Sequence, residues 1–177
     1  MIRDICVGTP GSAHDAAVFA ASDLYRHPER HPQATLVVEG VQVPLLVAGD
    51  PAYPLLPWLI KGYSGPNLSE EQEAFNGHLN GSRVKVEHTF GHLKGRWRIL
   101  AKRSDIHHSF MPTVVAACCV LHNICEMEKQ GSIQPCEDSC NEGERQLCCL
   151  QCNDRPSAQA VLIRDTLMQY VAHLRRQ

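Results

Sequence analysis

The sequence predicts an α/β chain with a helix-rich C-terminal half, and three stretches carry that prediction. Residues 43–48, Val-Pro-Leu-Leu-Val-Ala, are too continuously apolar to have a wet face, which marks a buried strand. Leu79, Val86, Phe90, Leu93, Trp97 and Leu100 recur at intervals of seven, four, three, four and three, the apolar stripe of an amphipathic helix. Residues 112–125 are apolar nearly all round and read as a buried core helix with Pro112 in its first turn. A chain of 177 residues, 44% hydrophobic and 20% charged, is ample for one domain with a real core.

Taken in order, residues 1–8 have the β-branched look of a strand already under way at the first residue. Thr9-Pro10-Gly11 makes a turn, and Ser12 to Asp15 has capping-box spacing ahead of a short helix. His14 and Asp15 side by side suggest catalysis, but no Ser or Cys in a nucleophile motif accompanies them, which favours capping. Residues 34–38 and 41–48 are β-rich runs around Glu39-Gly40, a hairpin turn. The second run ends at Gly49-Asp50-Pro51, where Pro51 holds Asp50 extended at the carboxyl end of the strand. Sites of open α/β sheets are built at that edge, although an Asp before Pro is also an ordinary turn residue.

Residues 52–65 read as a loop, and Ser69-Glu-Glu-Gln72 as a capping box that opens the long amphipathic helix, with a bend expected near Gly81-Ser82. Cys118, Cys119, Cys125 and His122 read as core residues of the apolar helix. Residues 126–156 form a polar, Cys-rich insertion whose C-x3-C and C-x2-C pairs leave zinc binding open as an alternative to plain flexibility. The remaining residues, 157–177, close the chain as a helix with Ile163, Leu167, Tyr170 and Leu174 on one face.

The net charge of −2 hides an asymmetry: residues 74–112 hold seven bases and two acids, while the segments on either side are acidic. That distribution suits a chain that meets a polyanion along one face. Nine cysteines, no run of 18 apolar residues and no signal-type N-terminus point to an intracellular protein with reduced thiols and no membrane span.

Within residues 83–103 a single acid, Glu87, stands among seven Lys and Arg, with Arg83, Lys94 and Arg98 within about 40° of it on an ideal helical wheel. Glu87 could be a metal ligand at a phosphate site or one half of an ordinary i, i+4 pair with Arg83, and the helix alone favours the pair.

Four segments together resemble the PIF/Harbinger-type transposases and the Harbinger transposase-derived nucleases. Residues 5–19, ICVGTPGSAHDAAVF, are similar to that family's vGxPGSxHDxxVF segment, and residues 49–55, GDPAYPL, to its GDxxYPL. Residues 83–97, RVKVEHTFGHLKGRW, are similar to RxxVExxFGxLKxRW, and residues 117–124, ACCVLHNI, to CCxLHNI. Arg164-Asp165 and the helix after them look like the family's usual ending; the Cys-rich segment is not covered.

The resemblance implies an RNase H-like DDE transposase fold in which three acids hold two divalent cations, Mg²⁺ or Mn²⁺. Two such ions activate a water and stabilise the leaving oxygen of a DNA phosphodiester. Asp50 is then the second acid and Glu87 the third, both catalytic and metal-binding, with Arg83, Lys94, Arg96, Arg98, Lys102 and Arg103 facing DNA.

The family's first acid lies in an Asp-Gly-Thr-His-like strand upstream of the PGSxHD segment, which the sequence does not contain. Residues 1–125 are therefore expected to be a partial nuclease domain, with residues 1–8 as an edge strand and residues 43–48 short of a partner. Impaired metal-dependent cleavage, or a non-catalytic DNA- or protein-binding role, is the functional expectation. The resemblance also implies the nucleus, with the cytoplasm left open, and a separate Myb-like protein as DNA-reading partner.

Overall fold

The computed structural model describes residues 1–30, 32–103, 105–128 and 155–176. The zinc alternative and nearly all of the proposed Cys-rich insertion lie outside the described residues.

Residues 1–10 form no strand; the backbone of Ile2 is held instead by the side chain of Asn123, which accepts its N–H at 2.7 Å and donates to its C=O at 2.6 Å. The first helices are short: α1, Asp15–Ala21, and α2, Asp23–Arg26. The expected capping box at Ser12 does not form, because α1 starts two residues later, with His14 as a cap that makes no side-chain bond and Asp15 inside the first turn. Ser22 caps α2 instead, accepting from the Tyr25 N–H at 3.3 Å.

Strands β1, Thr35–Val38, and β2, Val41–Pro44, form the expected antiparallel hairpin. Its two turn residues, Glu39 and Gly40, sit at φ 47° and 80°, the left-handed pair that matches the twist of a two-residue hairpin. The buried strand expected over residues 43–48 breaks in two. Pro44 ends β2, and the chain resumes as β3, Val47–Ala48, whose residues are exposed. β3 runs parallel to β4, Leu59–Ile60, a fully buried strand within what the sequence presents as loop. Among the described residues β3 pairs only with β4, so Ala48 turns its backbone to an open edge.

Helix α3, Glu70–Arg96, is one 27-residue helix that runs through Gly81-Ser82. Its capping box is complete: the Ser69 side chain accepts from the Gln72 N–H, and the Gln72 side chain accepts from the Ser69 N–H. Near its start Asn76 accepts the Tyr63 N–H at 2.8 Å and donates to the Tyr63 C=O at 3.0 Å, which ties the preceding loop to the helix. Gly62 permits this approach, since a Cβ there would lie 2.7 Å from Asn76 Oδ1.

Two separate cores hang on the two ends of α3. The first packs Phe75 with Val43, Leu55, Ile60, and Ala160 and Ile163 of α5, Ala158–Arg175. Tyr63 closes its edge, with its hydroxyl on Asp165 at 2.5 Å and the Arg164 guanidinium 4.0 Å above its ring. The second packs Leu93 with Cys118 and Cys119 of α4, Met111–Met127, and includes Ile2, Trp97, Leu100, Val114 and Val115.

The expected stripe is therefore buried only at its ends: Val86 and Phe90 are 55% and 54% exposed. α4 is likewise not buried all round, because Val120, Leu121, Ile124 and Met127 face outward. On α5, Ile163 is in the core, but Tyr170 and Leu174 are exposed. By length and composition His108–Met127 is a segment apolar enough to cross a membrane, but here its helix packs through Cys118 and Cys119 on α3 and carries the ion-paired Glu126.

Candidate functional site

Asp50 lies just after β3, in a tight turn that the sequence dictates. Pro51 keeps it out of the helical region, its Oδ1 accepts the Ala52 N–H at 3.0 Å, and its carbonyl accepts the Tyr53 N–H at 3.0 Å. Gly49 makes the turn possible beside β4, since a Cβ there would stand 3.0 Å from Leu59 Cδ1 and 3.3 Å from Tyr53. Phe19 of α1 stacks on Tyr53 at 4.6 Å, and Trp58 lies 6.3 Å from Phe19, so an aromatic cluster braces the turn from the other side.

The remaining oxygen of Asp50, Oδ2, accepts from Nη2 of Arg83 at 2.7 Å, a bond from the turn to the middle of α3. Arg83 thus pairs across the fold rather than with Glu87. Glu87 lies one turn further along the same helix, exposed, with no hydrogen bond or ion pair among the described residues. Asp50 is therefore tied to α3 one helical turn before Glu87. Burial pushes the Tyr53 hydroxyl pKa up, and the negative charges of Asp15 and Asp50 add to the effect. Asp15, which the sequence presents as a cap, contributes negative potential to this turn.

Hard carboxylate oxygens suit Mg²⁺ or Mn²⁺, but the arrangement does not fit a pair of divalent ions. Both oxygens of Asp50 are engaged, one by a cation, and the described residues contain no group of three or more His, Cys, Asp or Glu placed to hold a metal.

The basic residues divide. Arg96 turns inward: its side chain is 8% exposed, pairs with Glu126 at 3.3 Å and touches His122 Nδ1 at 3.5 Å, joining α3 to α4. Arg98, Lys102 and Arg103 are exposed beyond the end of α3, with Lys94 half-buried beside them. Burial lowers the His122 pKa, an effect that Arg96 reinforces and Glu126 opposes. The roles of Arg83 and Arg96 as struts were not visible in the sequence, because their partners lie 33 and 30 residues away.

Residues 1–123 match a family described as DDE superfamily endonuclease. Among curated proteins, the chain is 31% identical over 137 residues to the protein ALP1-like of Arabidopsis thaliana, covering 72% of this chain and 33% of that protein. It is 39% identical over 89 residues to the protein Antagonist of like heterochromatin protein 1 of Arabidopsis thaliana, covering 49% of this chain and 22% of that protein. The chain thus spans a third or less of the length of these relatives. No solved structure matches it.

Proposed function

The chain belongs to the DDE superfamily endonuclease family, and from that premise we propose that it is a transposase-derived nuclease domain of the Harbinger type that binds DNA along α3 and the segment after it. Membership implies an RNase H-like fold, in keeping with the parallel β3–β4 pair flanked by helices. Asp50 and Glu87 are two carboxylates of its phosphodiester site, which in the complete reaction takes Mg²⁺ or Mn²⁺. The observation that carries this reading is the Asp50–Arg83 bond, which brings the turn after β3 to the helix that bears Glu87. Cleavage by this arrangement is impaired, since Arg83 neutralises Asp50 and no group of three acids placed to hold a metal occurs among the described residues.

Lys94, Arg98, Lys102 and Arg103 supply the phosphate contacts, and Arg96 does not. Replacing Lys94 and Arg98 by Ala should lower the slope of log K against log salt by about 0.9 for each phosphate that is no longer neutralised on duplex DNA, whatever the sequence. An unchanged slope would remove this face from the interface. In the same preparation, DNA cleavage with Mg²⁺ or Mn²⁺ should stay at background. Metal-dependent cutting that Glu87→Gln abolishes would overturn the impairment.

A second reading, a non-catalytic role in binding DNA or protein, draws on the neutralised Asp50 and on the name of one relative, which sets that protein against a heterochromatin protein. A Myb-like DNA-reading partner and residence in the nucleus belong to both readings. Divalent-ion binding that Asp50→Asn removes favours the first reading, and its absence from a chain that binds DNA with the predicted salt slope favours the second.

A further inference from the structure

Helix α4 is apolar on two sides, and one of them faces solvent. Cys118, Cys119 and His122 are buried on the side that packs on α3. On the opposite side Val120, Leu121, Ile124 and Met127 are between 44% and 64% exposed. Together with the exposed Ala117 they stand within about 60° of Ile124 on an ideal wheel. Single exposed apolar side chains are ordinary, but five on one face of one helix form a continuous patch of the kind that marks an interaction surface. No Lys, Arg, Asp or Glu interrupts the helix from Met111 to Cys125.

The charges at its ends identify what covers this face. Thr113 opens the face and Glu128 closes it, both exposed. The first turn of α4 has no side-chain cap and no acid, and its last turn has no base, so Glu128 stands at the negative end of its own helix dipole. Glu126, by contrast, is paired with Arg96. A second α4 laid antiparallel, with a twofold axis between Val120 and Leu121, corrects both ends at once. Each copy's Glu128 then lies beside the other's Thr113 and bare first turn, and the small Ala117 lies opposite Ile124, where the backbones need room. A parallel pair would set Glu128 against Glu128.

We propose that the outer face of α4 is a self-association surface through which two copies of this chain pair antiparallel. A helix face about 25 Å long and 10 Å wide, doubled across a twofold axis, comes with its rim to on the order of 1,000 Å². That is the low end for a specific interface, so the dimer is reversible, with a micromolar dissociation constant.

Sedimentation velocity of the full 177-residue chain in reducing buffer, from micromolar to near-millimolar concentration, should show a monomer–dimer equilibrium. Ile124→Glu should weaken the dimer about a hundredfold or more, with helix content by circular dichroism unchanged. Thr113→Glu and Glu128→Lys should each weaken it about fivefold, and the double variant, which exchanges the end charges, should regain most of the loss. Those two positions lie outside both cores, so they carry the test even if Ile124→Glu does not fold. A chain that stays monomeric throughout overturns the proposal, as does association that a folded Ile124→Glu leaves intact. Single losses without recovery in the double variant overturn the antiparallel pairing. Binding of a monomeric chain to phosphatidylcholine vesicles assigns the face to lipid and overturns self-association.

Discussion

The two ends of α3 are packed and its middle is bare, although one apolar period runs through most of the helix. At the start, Phe75 is 5% exposed among residues from β2, β4 and α5; fifteen residues later Phe90 is 54% exposed. Towards the C-terminal end Leu93 is again buried, against α4. Amphipathic spacing reports a face that can be buried, and only tertiary structure decides whether anything covers it. The bare middle carries Arg83, Val86, Glu87 and Phe90, so the stretch of helix with the least packing is the one that holds the candidate chemistry.

The largest test of that contrast is a pair of truncations. Phe75→Ala should lower unfolding free energy by about 3–5 kcal/mol in urea, whereas Phe90→Ala should stay within about 0.5 kcal/mol. Equal losses would mean that the middle of α3 is covered in solution. Next in size is the cap. Ser69→Ala removes a completed capping box at the packed end and should cost about 1 kcal/mol. Thr89→Ala, which removes only a hydroxyl bonded back to the Lys85 carbonyl at 2.8 Å, should cost almost nothing.

The smallest expected effect distinguishes the two cores by pH. His122 is buried at the α4 core with its pKa lowered, so the folded state disfavours its protonation. Its contribution is fully present above the unfolded-state value of about 6.5 and is lost as pH falls from there through the lower folded value. Melting below that pH should therefore loosen α4 before α5, and His122→Asn should flatten the dependence. Hydrogen exchange in α4 that is insensitive to acid would sink this assignment.

What could be read from the chain was mostly local. Glu39-Gly40 marks its own turn, Ser69-Glu-Glu-Gln72 its own helix start, and Asp50-Pro51 its own bend, because each depends on neighbouring residues alone. The strand Leu59–Ile60 was hidden by its length, two residues between Pro57 and Gly62, too short for any period to register. The long-range pairs were hidden for another reason. Arg83 has an acid four residues away at Glu87, so spacing favours the wrong partner, and nothing in the sequence ranks Asp50 above it. Arg96 reads as a surface cation because type says nothing of exposure, and its burial follows only from the way α4 crosses α3. The site residues were therefore legible as motifs, and their mutual geometry was not.

The carboxamide of Asn123, which holds both the N–H and the C=O of Ile2, fixes an order of assembly. The two residues are 121 positions apart, and closing so long a loop costs chain entropy that two hydrogen bonds repay only after α3 and α4 have met. This clasp should close last in folding and open first under native conditions. The Ile2 amide would then exchange with solvent well ahead of the amides of either core, so the docking of the first residues can be followed as an event separate from the folding of the rest.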